Sequence, residues 1–284
     1  MRRSRSMLQA ALKVLPREEA FLVVKSFDII GDILVIKLPE NLLQKRFKIA
    51  EALMKELPNR KVVLRQISPV AGEYRVRNLE WLSGEKRTYT IHKENGCSFK
   101  VNLAEVYFSP RLSYERMRIA KLVNRSDRKE VIMNMFSGVG CFSVIIAKHA
   151  DPEKIYSIDI NPDAIKYLEE NIKLNQVEKT IIPILGDARQ VTAKLGGLAD
   201  RVLMPLPEKS LEYLPFAIQG LKSSKGWIHY YDFYYTRDKP DHRVADKVSE
   251  QLRTLNIDFQ INNIRTIRSV GPNWYQIVID IEII

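Results

Sequence analysis

Between Phe21 and Leu38 two apolar runs flank Gly31-Asp32, and a glycine turn between β-rich stretches predicts a hairpin. After Pro39 the period changes. Leu43, Phe47, Ala50, Met54 and Leu57 fall at steps of three and four with Lys and Glu between them, the stripe of an amphipathic helix that Pro58-Asn59 stops. Short β-prone pieces follow at 61–67, 75–82, 87–92 and 99–103, separated by Gly72, Ser83-Gly84 and Asn95-Gly96. Together they predict a small α+β module.

From about residue 105 helical and strand patterns alternate, which points to a parallel sheet covered by helices. A helix at 113–123 precedes a strand at 131–135, a helix to Lys148, a strand at 155–158, a helix at 163–175 and a strand at 181–185. Two further strands, 201–204 and 227–231, bracket a helix at 208–221. The segments 258–267 and 274–284 predict a closing antiparallel pair, the second with Ile277, Ile279, Ile281 and Ile283 on one face. The expected organisation is an extension over 1–20, a small α+β domain over 21–104, and an α/β, Rossmann-like domain over 105–284.

Composition adds a direction to this picture. The chain of 284 residues is 45% apolar, enough for two cores, and carries a net charge of +11. Residues 1–130 hold 27 Lys and Arg against 15 Asp and Glu, and the remainder is close to neutral at −1. A polyanion-facing first half is therefore expected. No apolar stretch approaches the ~20 residues of a membrane span, and Met1-Arg-Arg-Ser lacks a secretory core, so a soluble, cytoplasmic protein without a membrane partner is expected. The amphipathic, Arg-rich Met1–Leu15 has the character of a transit peptide, but Glu18-Glu19 follow at once. Cys97 and Cys141, and the separate His92, His149, His229 and His242, signal neither a disulfide framework nor a metal site.

Ligands of doubly wound sheets sit beyond the carboxyl ends of the strands. Ser137-Gly138-Val139-Gly140 follows the first strand there, where missing side chains let a ligand approach backbone and helix N-terminus. Asp159 ends the second strand, placed to accept from both hydroxyls of a ribose, and Gly186-Asp187 ends the third, placed to take an adenine amine. Each has a plainer reading: a tight turn, the start of the next helix in Asp159-Ile160-Asn161-Pro162, a turn aspartate. As a set they resemble the S-adenosylmethionine-dependent methyltransferase fold. Too few glycines for a dinucleotide loop, and no Lys-Ser/Thr of a phosphate loop, make NAD and ATP poorer fits.

The string Val106-Tyr107-Phe108-Ser109-Pro110-Arg111-Leu112-Ser113-Tyr114-Glu115-Arg116 is the most specific in the chain. With Met135-Phe136-Ser137-Gly138-Val139-Gly140 and Asp159-Ile160-Asn161-Pro162, it resembles the archaeal and eukaryotic tRNA (guanine-37-N1)-methyltransferase family from about residue 20 onward. The resemblance implies a small RNA-binding domain before a class I methyltransferase domain, S-adenosylmethionine as cofactor, and the anticodon loop and stem of tRNA as partner, with the chain acting as a monomer. It also implies that the chain begins after a further N-terminal domain of the longer members. Glu115 would be the base at guanine N1, and Arg75 would steady the ring oxygen, with Arg77 its competitor. Tyr107 and Arg111 would organise the site. Arg116, Gly138, Gly140, Asp159, Ile160, Asp187, Ala188, Pro205 and Pro207 would meet the cofactor. The site is then expected where the two halves of the chain meet.

Two positions depart from the family's pattern. Asn134 stands where an Asp is usual, and Met204-Pro205-Leu206-Pro207 replaces an Asn-Leu-Pro or Asn-Pro-Pro turn, so Pro205 offers no amide to a guanine edge. Three readings follow: N1 methylation of guanosine 37, action on the tricyclic wyosine-type base made from it, or a tRNA-binding factor without catalysis. Within the second, carbon methylation outranks aminocarboxypropyl transfer, because relatives of the latter kind tend to lack the pairing that Arg111, Glu115 and Asp159 preserve.

Overall fold

A period of three to four places Met7, Ala10 and Ala11 on one side of the first helix, α1 (Arg2–Val14), with Leu15 just past its end. All four are buried, against α3 (Arg46–Glu56) and the first sheet. This computed structural model describes residues 2–70, 72–238 and 242–284. The side chains of 1–5 and of His242, part of the Arg-rich start and one of the four histidines, lie outside that description. Residues 1–20 are therefore no extension: α1 and α2 (Arg17–Ala20) help build the first core, because burying their apolar side is favourable at about 25 cal/mol per Å².

The chain divides into two compact units, Met1–Pro110 and Arg111–Ile284. In the first, β1 (Asp28–Ile30) and β2 (Ile33–Ile36) form the expected hairpin around Gly31-Asp32. β3 (Val62–Gln66) joins β2 in parallel, and β4 (Leu79–Gly84) closes a four-stranded sheet ordered β1-β2-β3-β4. β5 (Tyr89–Glu94) and β6 (Cys97–Asn102) make a separate antiparallel ribbon. The strand expected at 75–82 starts later. Residues 72–75 form a turn instead, closed by the Arg75 N–H donating to the Gly72 carbonyl at 3.1 Å, with Arg75 at φ 54°. Positive φ is costly for a residue with a Cβ and is not a strand conformation.

The second unit is built on a seven-stranded sheet ordered β12-β13-β11-β10-β7-β8-β9. β7 (Val131–Asn134), β8 (Lys154–Asp159), β9 (Ile181–Leu185), β10 (Arg201–Met204) and β11 (Gly226–Tyr235) run parallel, and β13 (Trp274–Ile283) pairs antiparallel with both β11 and β12 (Phe259–Gly271). The helices are α4 (Ser113–Val123), α5 (Cys141–His149), α6 (Pro162–Leu174), α7 (Ala188–Leu195), α8 (Ser210–Gly220) and α9 (Asp246–Thr254). The strand order turns back between β7 and β10, the switch point at which such sheets bind ligands. With the boundary at Pro110/Arg111, the charge is +8 for the first unit and +3 for the second, so the second is basic rather than neutral.

Candidate active site

Backbone hydrogen bonds draw the three strand ends of the second unit together. After β7 the chain stays on the sheet: Met135 N–H donates to Leu203 O at 3.0 Å and Ser137 N–H to Ile158 O at 2.8 Å. Gly138 N–H then donates to Asp159 Oδ2 at 2.7 Å, and Gly186 N–H to Asp159 O at 2.9 Å. Ser137–Gly140, Asp159 and Gly186-Asp187 thus form one edge, as their positions on the sequence imply. Gly138 sits at φ +54° with nothing within 4 Å of where a Cβ would stand, so space is held open there. Gly140, at φ +90°, caps α5, and a Cβ on it would meet Leu168 Cδ1 at 2.4 Å. The first glycine leaves open space, and the second makes room for Leu168.

The carboxylates differ in how they are engaged. Asp159 accepts from the amides of Gly138 and Asn161, while Asn161, its helix-starting neighbour, caps α6 through its own side chain. Asp187 is the N-cap of α7, accepting from Arg189 N–H at 2.9 Å, and is gripped by the Arg189 guanidinium and by Tyr213 OH at 3.2 Å. The hydrogen bond from Arg189 holds its carboxyl below the ordinary aspartate range, against the effect of burial. Ile160 is half-buried beside Asp159, Ala188 is buried at the start of α7, and Phe136 meets Tyr213 edge-on at 5.0 Å. Pro205 is half-buried and Pro207 buried in the turn after β10, which Ser210 Oγ closes by donating to Met204 O and Leu206 O.

Asn134 is fully buried at the end of β7, its Nδ2 donating to Ser143 Oγ at 3.1 Å. Its Oδ1 and the buried Ser137 Oγ have no hydrogen-bond partner. Such orphans cost about 1–3 kcal/mol each. They leave acceptor capacity at the strand end for a ligand with polar hydrogens, which fits the amino-acid end of S-adenosylmethionine.

Glu115 lies on the buried side of α4 with Arg116, Ile119, Ala120 and Val123, and is only 2% exposed. Both its oxygens are hydrogen-bonded on the spot. Arg118 donates to both carboxylate oxygens, Nε to Oε2 at 2.8 Å and Nη2 to Oε1 at 2.7 Å, and Tyr231 OH donates to Oε1 at 2.8 Å. The same guanidinium grips Asp280 of β13, at 2.6 and 3.0 Å. Asp280 Oδ1 meets His229 Nδ1 at 2.5 Å, and His229 Nε2 meets Arg201 Nη1 at 2.7 Å. Arg201 is in turn held by Glu130 at 2.6 and 2.9 Å. Burial pushes His229 down and keeps it neutral; burial pushes Asp280 up, but the bond from His229 and the Arg118 guanidinium outweigh it and hold that carboxyl far below its usual range. Among these residues only Glu115 stands out from sequence motifs. Charged residues in apolar strands, Arg201 in β10 and Asp280 in β13, are the local signs of the rest.

Arg116 is buried, with its guanidinium 6.0 Å from the Phe142 ring, and Arg111 is exposed in the turn Pro110–Leu112 before α4. In the first unit Arg75 lies over the Tyr107 ring at 4.9 Å, both half-buried. Arg77 is committed otherwise: it is buried and donates to Phe108 O at 2.8 Å. Among the described residues no group of three or more His, Cys, Asp or Glu could hold a metal, and no helix is long and apolar enough to cross a membrane.

This strand order, ending in an antiparallel pair, with a glycine opening after the first strand and acidic residues after the second and third, defines a class I methyltransferase domain that uses S-adenosylmethionine. Residues 90–261 match the TRM5/TYW2 methyltransferase domain and residues 5–88 the TYW2 N-terminal domain; the chain belongs to the TRM5/TYW2 family. It is 42% identical over 268 residues to tRNA (guanine(37)-N(1))-methyltransferase Trm5b of Pyrococcus abyssi, covering 94% of this chain and 78% of that one. It is 36% identical over 264 residues to tRNA 4-demethylwyosine(37)-methyltransferase Taw21 of Saccharolobus solfataricus, covering 91% and 94%. Among solved structures, the complex of aTrm5 and tRNALeu superposes with a TM-score of 0.81 at 39% identity, over 93% of this chain and 73% of that one. Methanocaldococcus jannaschii TYW2 with AdoMet gives 0.67 at 28%, over 91% and 99%.

Proposed function

We propose that this chain transfers a methyl group from S-adenosylmethionine to N1 of guanosine 37 in tRNA. The carrying observation is Glu115, a buried carboxylate fixed by Arg118 and Tyr231 in a chain 42% identical to an enzyme of that name. Guanine N1 bears a proton at neutral pH, so it becomes a nucleophile only as a base removes that proton, and charge then gathers on the ring oxygen. Glu115 takes the proton and Arg75, steadied over Tyr107, faces the oxygen; Arg111 helps place the base. The bound cofactor supplies a methyl on a cationic sulfur, which needs no basic cradle. Gly138 and Gly140 shape its opening, Asp159 and Ile160 take the ribose side, and Asp187 and Ala188 the adenine. Arg116, Pro205 and Pro207 border it. The partner is the anticodon loop and stem, and the protein acts as a monomer in the cytoplasm, without a metal.

A second reading has its own support. The chain spans 94% of Taw21's length and carries Pro205 where an amide is usual. These favour carbon methylation of the tricyclic base as a further or alternative activity. One incubation tests both: purified protein and labelled-methyl cofactor with transcripts carrying guanosine or adenosine at position 37, and with 4-demethylwyosine tRNA, followed by nucleoside analysis. Label in 1-methylguanosine only with the guanosine transcript supports the first reading. Its absence there, with label on the tricyclic base, replaces it by the second. Salt-sensitive tRNA binding without label on any of them points to a binding factor.

A further inference from the structure

The buried ion cluster behind Glu115 contains more charge than is needed to hold one carboxylate. We infer that Arg118 and Asp280 are positioning residues for the base: they fix Glu115 so that its Oε2 faces the reaction, and they let it take one proton without leaving an unbalanced charge in the interior. The inference rests on the reading of Glu115 as the base.

Lone-pair accounting comes first. A carboxylate has about four acceptor sites. Arg118 uses one on each oxygen and Tyr231 a second on Oε1, so Oε2 retains the open site. The proton leaving guanine N1 therefore goes to Oε2, as the N1–methyl bond forms and the sulfur keeps the electron pair of the bond that breaks.

Charge accounting explains Asp280. An arginine is always a donor, so His229 Nε2 must accept from Arg201, and the ring hydrogen sits on Nδ1, pointing at Asp280. His229 is thus neutral on geometric grounds, and Arg201 is balanced by Glu130. That leaves two carboxylates, Glu115 and Asp280, on one guanidinium: one negative charge in excess. When Glu115 gains its proton the excess disappears and Arg118 still has Asp280. With Glu115 alone on Arg118, the same proton would strand a buried cation, which proteins pay for heavily. The other groups facing Glu115 do not change this count. Tyr231 on β11 is neutral, its hydroxyl pushed well above its usual range by burial and by Glu115. Asn263 of β12 only donates to Asp280 Oδ2, at 2.9 Å.

The test is the single-turnover rate of methyl transfer to a guanosine-37 transcript, measured across pH. Asp280→Asn leaves Glu115 against an uncompensated guanidinium and weakens it as a base. Its acid limb should move down by about one pH unit, with the neutral-pH rate falling about three- to tenfold. Tyr231→Phe removes a donor to the ionised form, so its limb should move up. KM values for cofactor and tRNA should hold in both. Limbs that stay put, or move in the same direction, overturn the inference, as does a loss confined to KM. Should Asp280→Asn fail to fold, Tyr231→Phe decides alone, and an unmoved limb is then fatal. Glu115→Gln separates the underlying reading: near-wild-type turnover removes Glu115 as base, whereas an inactive Glu115→Gln beside an unaltered Asp280→Asn profile keeps the base and rejects the positioning pair.

Discussion

Alanine at Gly138 and at Gly140 should damage the protein in two different ways. Both glycines have positive φ, +54° and +90°, so each substitution carries about 1–2 kcal/mol of backbone strain. At Gly138 that is the whole structural cost, because the new methyl meets nothing within 4 Å. At Gly140 the methyl would lie 2.4 Å from Leu168 Cδ1 and 3.5 Å from Val144 Cγ2, and overpacking of a close-packed core adds about 1–3 kcal/mol. A domain of this size loses roughly 2–4 °C of melting temperature per kcal/mol. Gly138→Ala should therefore melt about 2–8 °C lower, and Gly140→Ala about 4–20 °C lower. Calorimetric titration with S-adenosylmethionine below both melting points should then reverse the order. Gly138→Ala fills the space left for the cofactor and should lose at least tenfold in affinity, about 1.4 kcal/mol, while folded Gly140→Ala keeps most of its binding. If Gly138→Ala binds as the parent does, the opening after β7 is not a ligand cradle. If both melt alike, the contact with Leu168 does not matter.

Acid should destabilise the second unit in two stages. His229 has a lowered pKa in the fold, so below about pH 6.5 the unfolded chain binds a proton that the folded one refuses, and stability falls with falling pH by up to about 1.4 kcal/mol per unit. Asp280, also lowered, contributes stability that is present above its unfolded value near 3.9 and is lost only as pH falls below it. Melting curves from pH 7.5 to 5 should show the first stage, and His229→Gln should flatten it; equal slopes in the two proteins would refute the assignment. Glu130→Gln leaves the buried Arg201 uncompensated and should cost about 3–5 kcal/mol in chemical denaturation, with a near-neutral result arguing that the pair is not formed. Arg77→Ala, which removes the buried donor to Phe108 O, should lower the stability of the first unit by about 1–3 kcal/mol, whereas Arg75→Ala should spare stability and slow methyl transfer. The opposite pattern would exchange their roles.

What sequence made legible was whatever is local. The five parallel strands, the hairpin at Gly31-Asp32 and the shared strand-end edge of Ser137–Gly140, Asp159 and Asp187 each carry their signal within a few residues. Signals failed where a local rule was diluted or broken. The helices α7 and α9, with two turns each, showed too few apolar repeats to stand out. Three register shifts in β12 interrupt its alternation, so the pattern ends at 267 although the strand runs to Gly271. Arg75-Val76-Arg77 alternates like a strand, yet the backbone turns at Arg75, and only the fold discriminates Arg75 from the buried Arg77. The ion cluster was illegible for a stronger reason. Glu115 and Asp280 are joined through Arg118 across 162 positions, and Arg201 meets Glu130 across 71. No spacing rule reaches so far. What each member does show locally is a charge on an otherwise buried face: Glu115 on the inner side of α4, Arg201 at the start of β10, Asp280 within β13. A buried charge requires a partner, so three such misfits in one domain imply one another before any contact is seen, and the pairing they imply is the one that surrounds the proposed base.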